Sequence, residues 1–363
     1  MKILVTGGHV TPAIAVIDKL KDQKIVFVGR KYPIPGEKII SLEYKEISKR
    51  GIKFINLETG RLTRLISLRS IINLLLIPYG FFQAAKILFR EKPDKIVSFG
   101  GYIAFPICII GALFRIPIYT HEQTISLGLA NRIIANLSRK VFVSFEESKK
   151  ELGNSKKIIV TGNPIRPEVF QIIKKPFELP ASRKVIYITG GSLGAHSVNV
   201  HIKAILPKLL SRFTVIHQVG DTQEFNDYKN LMDLKESLPQ KQRVNYFPQI
   251  HFSGDEIGFI YSVTDLVIAR AGANTFFELG ALQKPAIFIP LPWSARGEQQ
   301  KHAELFKQAG CGEIFDQSHT SEELFTLIET VMKNIDSYKK KFGELHIQNS
   351  THAQDAIVRE ILT

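Results

Sequence analysis

The sequence predicts an α/β protein with two doubly wound parallel sheets, one in each half of its 363 residues. Three observations carry this expectation. Short β-rich runs alternate with longer stretches of helical spacing along the whole chain; each run ends in Gly, Ser, Thr or Pro; and the same pattern restarts after a stretch broken by Pro and Gly near residue 164. The first half reads "KILV", "KIVFVG", "KIVSFG", "IPIYTHE", "KVFVS" and "KKIIVTG", and the second "KVIYITGG", "FTVIHQVG", "VNYFPQ", "DLVIARAG" and "PAIFIPLP". "TGNPIRPEVF" marks the boundary, and "KKPFELPASRK" reads as a loop before the next strand. In open parallel sheets ligands gather beyond the carboxyl ends of the strands, so two domains facing across a cleft are expected to share one site.

Composition narrows the class. With 44% hydrophobic and 23% charged residues the chain is a globular protein with room for two cores. Cys108 and Cys311 lie far apart, in no metal-like spacing, and the first strand starts without the basic segment, apolar core and cleavage site of a secretory leader. A reducing cytoplasm is expected. The net charge of +14 belongs to the first half: residues 1–164 hold 26 Lys and Arg against 12 Asp and Glu, and residues 165–363 hold 22 against 22. Nothing resembles a helix-turn-helix, a zinc finger or an RNA-binding aromatic motif, so nucleic acid is set aside in favour of anionic lipid.

The turns carry the chemistry. "TGGH" at 6–9 joins a strand to a helix through two glycines and a histidine, which lets a ligand approach the backbone and the helix amides. Residues 62–90 mix Leu, Ile and Phe with Arg64, Arg69, Lys86 and Arg90, just after Arg61; Pro78 is expected to interrupt a run too short and too basic to span a bilayer. This stretch reads both as a core helix and as an amphipathic surface resting on lipid. "SFGGY" at 98–102 and "TGGSLGAHS" at 189–197 resemble phosphate-binding turns, yet neither is G-x-G-x-x-G nor followed by G-K-[ST], which argues against nicotinamide and ATP chemistry. Such turns suit oxygen-rich ligands such as a diphosphate or a sugar. His121 in "THEQT" reads equally as a satisfied core histidine and as a site residue. Glu278, in "ARAGANTFFE", reads either as a ribose ligand or as a surface glutamate favoured by the helix dipole. Arg296, Gln299 and Gln300 follow "IFIPLPW", and amides suit sugar hydroxyls because each both donates and accepts.

Seven motifs in order, "TGGHVTPAIAV", "FGGYIAFP", "HEQTISLGLANRIIA", "VTGNPIRPEV", "GGSLGAH", "RAGANTFFELGALQKPAIFIPLP" and "EQQ", make the chain resemble the MurG family of bacterial N-acetylglucosaminyltransferases across nearly its whole length. That family transfers N-acetylglucosamine from UDP-GlcNAc to lipid I, forming lipid II for peptidoglycan. The resemblance implies two Rossmann-like domains in the GT-B arrangement: an acceptor-binding and membrane-associating domain, 1–164 plus a returning segment 342–363, and a UDP-GlcNAc-binding domain, 165–341. It assigns the donor to Thr6, Gly7, Gly8, Thr124, Arg166, Ser192, Gly272, Ala273, Asn274, Thr275, Glu278, Gln299 and Gln300. It assigns the acceptor to Gly100, Gly101, Tyr102, His121, Glu122 and Asn131. The family's G-G-T-G-G-H turn is shortened here to Val5 before "TGGH", Thr124 replaces an asparagine that contacts the donor, Leu193 replaces a glutamine and Ala271 a serine.

The implied reaction is inverting displacement at C1 by the C4 hydroxyl of MurNAc. His9 is the candidate base, with a pKa near neutrality and a turn open to a hydroxyl; its alternative role is to bind a phosphate or sugar. No cofactor and no metal are expected, since no D-x-D pair is placed to hold one, and helix N-termini, turn amides and Arg166 are left to carry the leaving charge. The expected location is the cytoplasmic face of the cell membrane, peripherally bound to anionic lipid and near other cell-wall synthesis proteins. A UDP-GlcNAc 2-epimerase of the same fold, and a UDP-sugar transferase with another lipid or small-molecule acceptor, are the rival readings.

Overall fold

The structure, a computed structural model, describes all residues except 33–39, 61–67, 154, 181–182, 192, 222–223, 346 and 348–351, and describes the backbone alone for residues 42 and 68–75. The chain forms two compact units, Met1–Arg166 with Gln348–Thr363, and Pro167–Ile347.

In the first unit strands β1 (Lys2–Thr6), β2 (Lys24–Gly29), β3 (Lys53–Asn56), β4 (Lys95–Ser98), β5 (Ile118–Glu122), β6 (Lys140–Val143) and β7 (Ile158–Val160) form one sheet in the order β3-β2-β1-β4-β5-β6-β7. Every pairing is parallel. The near-continuous apolar runs of β1 and β2 follow from this, because helices cover both faces of the sheet and leave neither face for water. Ile3, Val5, Phe27, Val97 and Phe142 build one core layer, and Leu4, Val28, Ile96, Ile107 and Ile118 build the other.

In the second unit β8 (Val185–Thr189), β9 (Thr214–Gln218), β10 (Tyr246–Gln249), β11 (Leu266–Ala269), β12 (Ala286–Phe288) and β13 (Gly312–Ile314) form a parallel sheet in the order β10-β9-β8-β11-β12-β13. Helix His196–Arg212 buries Val198, Ile202, Ile205, Leu206, Leu209 and Leu210 against one face.

Two strands are additions to the sequence reading. β3 and β13 are edge strands, reading KFIN and GEI, so they lack the apolar run that marks a central strand and owe their form to pairing with β2 and β12. Pro78 corrects another expectation. It lies inside a continuous helix, Leu68–Glu91, instead of ending one. The helix gives up one i→i−4 bond there, and burial of Ala84, Ile87 and Leu88 holds the turns that follow. Arg61 and Arg64 fall outside the described residues, as does the side chain of Arg69.

The chain ends in helix Ala353–Leu362, shorter than the 342–363 segment expected to return, while Phe342–Glu344 is a single 3-10 turn of the second unit. Ile357 and Ile361 complete the first unit's core beside helix Val10–Ile17. Ion pairs Lys19–Asp355 (3.0 Å) and Lys140–Glu360 (3.1 Å) flank them.

Glu43, in helix Leu42–Lys49, accepts a hydrogen bond from the Arg30 backbone, and burial pushes its carboxyl up to about 7. A carboxyl whose pKa is raised on folding costs stability as pH climbs from its unfolded value toward its folded one. Glu43→Gln should match the parent's stability well below pH 4.5 and exceed it above pH 7 by about 3 kcal/mol, read from urea unfolding at both pH values. Equal differences at the two pH values would contradict the assignment.

Candidate active site

The strand order of the first unit reverses between β1 and β4, whose last residues Thr6 and Ser98 lie in register. Such a reversal opens a crevice at the carboxyl ends of the strands, and both glycine turns of this unit leave from it. A Cβ on Gly7 (φ +144°) would sit 2.6 Å from the Phe99 carbonyl carbon, and one on Gly100 (φ +67°) would sit 2.4 Å from Asn131 Nδ2. The turns are therefore in backbone contact, joined by Gly8 N donating to Gly100 O at 3.0 Å.

Asn131, on helix Leu129–Leu137, ties the turns to the neighbouring strand. Its Oδ1 accepts from Gly101 N (3.0 Å) and its Nδ2 donates to Glu122 Oε2 (2.5 Å). Glu122 ends β5, is buried, and accepts on Oε1 from Thr124 N at 3.0 Å, with the Thr124 hydroxyl 2.9 Å from the same oxygen. These bonds offset the cost of keeping a carboxyl out of water. The Arg30 guanidinium donates to the hydroxyl of Tyr102 and lies 5.5 Å from its ring centre, which fixes that ring beside the second turn.

His9 caps the helix that follows the first turn. Its Nδ1 is buried and has no hydrogen-bond partner among the described residues. Burial lowers its pKa below the ordinary histidine value, and the Glu122 carboxylate and the Phe99 backbone oppose that only in part. The imidazole is thus neutral at pH 7 and holds a basic lone pair. His121 is a core residue, 1% exposed, with Nε2 donating to Gly162 O at 3.2 Å and its ring 5.8 Å from that of Phe99. Burial pulls it down to about 3, so it takes no proton and acts through position alone.

The second unit repeats the plan. Its order reverses between β8 and β11, where Thr189 and Ala269 are in register, and the turns after them lead to helices His196–Arg212 and Ala273–Ala281. A Cβ on Gly194 would lie 2.2 Å from Val219 O, so this turn is pressed against the end of β9. Gln218 clamps the pair: its Nε2 donates to Thr189 Oγ1 (3.1 Å) and Gly191 O (3.0 Å), and its Oε1 accepts from Phe252 N (3.1 Å).

Gly272 caps the helix that carries Ala273, Asn274 and Thr275. Glu278 is 4% exposed and accepts from the Tyr261 hydroxyl at 2.9 Å, which removes the surface-glutamate alternative. Gln299 Oε1 accepts from Leu291 N (3.0 Å), committing one end of that amide to its own loop, and Gln300 Nε2 donates to Glu304 (2.9 Å). Ser192 lies outside the described residues.

Thr6, Gly7, Gly8, Thr124 and Arg166 belong to the first unit, and Gly272 to Thr275, Glu278, Gln299 and Gln300 to the second. Three residues that shape the second unit's turns escaped the sequence reading. They are Gln218, His302, whose Nδ1 bonds Ala271 O at 3.0 Å, and Arg270, which donates to Ser197 Oγ (2.7 Å), Gln317 Oε1 (3.0 Å) and Ile289 O (2.8 Å). Only the Arg in "ARAG", next to the glycine turn, carried a local signal.

Residues 5–143 match the glycosyltransferase family 28 N-terminal domain and residues 185–358 its C-terminal domain. A Bacillus cereus protein named UDP-N-acetylglucosamine--N-acetylmuramyl-(pentapeptide) pyrophosphoryl-undecaprenol N-acetylglucosamine transferase 2 is 35% identical over 372 residues, covering 99% of each chain. A Legionella pneumophila protein of the same enzyme name is 32% identical over 98% of this chain and 94% of its own. Among solved structures, Acinetobacter baumannii MurG superposes with a TM-score of 0.69 at 24% identity over 99% of each chain. A UDP-GlcNAc 2-epimerase from Neisseria meningitidis superposes with 0.65 at 18% over 100% of each, so this fold is shared by both reaction types.

Proposed function

The chain belongs to glycosyltransferase family 28 and, within it, to the MurG N-acetylglucosaminyltransferases, and on that premise we propose that it transfers N-acetylglucosamine from UDP-GlcNAc to the C4 hydroxyl of MurNAc in lipid I. The observation that carries this reading is 35% and 32% identity with transferases so named, over 99% and 98% of this chain. The test is transfer of radiolabel from UDP-GlcNAc to lipid I. Label appearing instead in a UDP-sugar epimer, without acceptor, would favour the epimerase.

The residues suggest a division of labour in which the first unit takes the acceptor and the second the donor. His9, neutral beside a turn without side chains, is suited to accept the proton of the attacking hydroxyl as the C1–O bond forms, and Glu122 attracts the positive charge that results. Turn amides and Arg166 would receive the diphosphate as it leaves. Tyr261 holds Glu278 in place for the ribose hydroxyls.

The attachment to membrane rests on a separate feature. Among the described residues no helix is long and apolar enough to cross a membrane. Helix Leu68–Glu91 nevertheless exposes Tyr79, Phe82 and Phe89 with Lys86 and Arg90 on its outer side, and Leu113 and Phe114 are exposed at the C-terminal end of helix Gly101–Leu113. Apolar rings beside cations suit an anionic bilayer surface, such as the cytoplasmic face of the cell membrane.

Three outcomes are expected. His9→Ala should lower single-turnover transfer by about 10²–10⁴-fold with UDP affinity nearly unchanged, and the parent's rate should hold as pH drops through 6.5, falling only below it, because a base with a lowered pKa keeps its lone pair to more acid pH. A turnover within a few-fold of the parent would exclude the base. Glu278→Ala should weaken UDP binding by about 1.5–3 kcal/mol in calorimetry, the worth of a hydrogen bond to a charged group. Unchanged affinity in the folded variant would remove the ribose role. The protein should sediment with anionic vesicles and be released by salt, since surface charges are screened beyond about 8–10 Å. Equal binding to neutral vesicles would sink the electrostatic part.

A further inference from the structure

In the second unit a chain of polar side chains runs from the sheet to the surface and ends on a histidine beside the Gly190–Ala195 turn. The Tyr246 hydroxyl lies 3.0 Å from His217 Nδ1, and His217 Nε2 lies 3.1 Å from Asn199 Oδ1. Asn199 Nδ2 reaches Asp227 Oδ2 at 2.8 Å and Val219 O at 3.1 Å, and Asp227 Oδ1 lies 2.8 Å from His196 Nδ1. The first four residues are buried, and the His196 side chain is 40% exposed.

Hydrogen-bond chemistry fixes the direction of this chain. The amide nitrogen of Asn199 faces two acceptors, so the atom facing His217 is the carbonyl oxygen, and His217 Nε2 must donate to it. Its Nδ1 then accepts from the Tyr246 hydroxyl, and burial, holding this ring near a pKa of about 3, keeps it neutral. Every proton points toward Asp227. His196 Nδ1 must donate to that carboxylate as well, which leaves Nε2 as the only His196 nitrogen not engaged by this chain.

The plane of His196 is fixed too. Its ring stacks on Phe225 with centroids 3.8 Å apart and planes 13° from parallel. It is the first residue of helix His196–Arg212, directly after the turn that leaves β8 at the sheet's reversal. A simple tie between helices would need only some donor to Asp227. Here the Asp227 contact, the stacked plane and the place at the start of the helix leave Nε2 uncommitted to this chain of side chains.

Resting on the donor-binding reading above, we propose that His196 is a ligand-binding residue that meets the donor as an imidazolium, its Nδ1 donating to Asp227 and its Nε2 donating to an oxygen of the donor's diphosphate. An imidazolium held by a carboxylate on one nitrogen has its other N–H aimed away from that carboxylate and can donate it to an anionic oxygen. The uridine portion offers no negative oxygen.

The test is calorimetric binding of UDP and of uridine to the full-length parent, to His196→Ala, and to His196→Phe, which keeps the stack on Phe225 while removing both nitrogens, with thermal unfolding followed for each. In either variant UDP should bind about tenfold more weakly and uridine within about twofold of the parent, as expected for one lost charge-assisted bond. UDP affinity within about twofold of the parent, or equal losses for UDP and uridine, would overturn the proposal and leave His196 a tie between helices. A parent that binds UDP no better than uridine would overturn the donor reading itself, and this inference with it.

Discussion

In the first unit two glycine turns touch backbone to backbone, and the positions of the polar groups around them follow from that contact. With Gly7 against Phe99 and Gly100 against Asn131, no side chain fits between the turns. The amide of Asn131 fills the remaining polar role by bridging Gly101 N and Glu122. Glu122, once fixed, sets the field in which His9 sits. A Cβ at either glycine would thus disturb a carboxylate two links away. The second unit applies the same constraint differently: Gly194 presses on Val219, and Gln218 uses the closeness to hold Thr189, Gly191 and Phe252 with a single amide.

Burial turns most of the histidines near these turns into fixed hydrogen-bonding parts. His121, His217 and His302 are held neutral far below physiological pH, with pKa values pushed down to about 3, about 3 and about 4. Each bonds a backbone or amide oxygen: Gly162 O, Asn199 Oδ1 and Ala271 O. They set the shape of strand ends without adding charge there. His9 stands apart because a buried carboxylate lies close enough to favour its protonated form when a proton arrives.

The alternation of apolar runs with glycine-ended turns was enough to place the central strands of both sheets, because parallel strands buried on both faces are mostly apolar and carry their polar residues toward their ends. It was not enough for β3 and β13, whose half-exposed edges leave no such run. Pro78 misled for a related reason: local geometry disfavours it in a helix, and packing beyond it outweighs the one bond lost. Within the site, the glycines and His9 announced themselves through their place in a turn. Glu278 did not, since its burial depends on Tyr261, 17 residues earlier in the chain. Gln218, Asn199 and Asp227 are silent for the same reason, being polar residues whose partners are distant in sequence.

The helix Ala353–Leu362 gives the first unit a peculiar dependence on time. Ile357 and Ile361 are wholly buried among Ile3, Val5 and Val16, so residues from before and after the second unit share one core. During synthesis the sheet of the first unit emerges before the second unit, yet its last apolar contacts arrive only after the whole second unit has been made. The second unit is contiguous from Pro167 to Ile347 and has all its parts earlier. The half of the protein made first is therefore the half completed last, and until then its unfinished apolar face is a surface for chaperones or for aggregation.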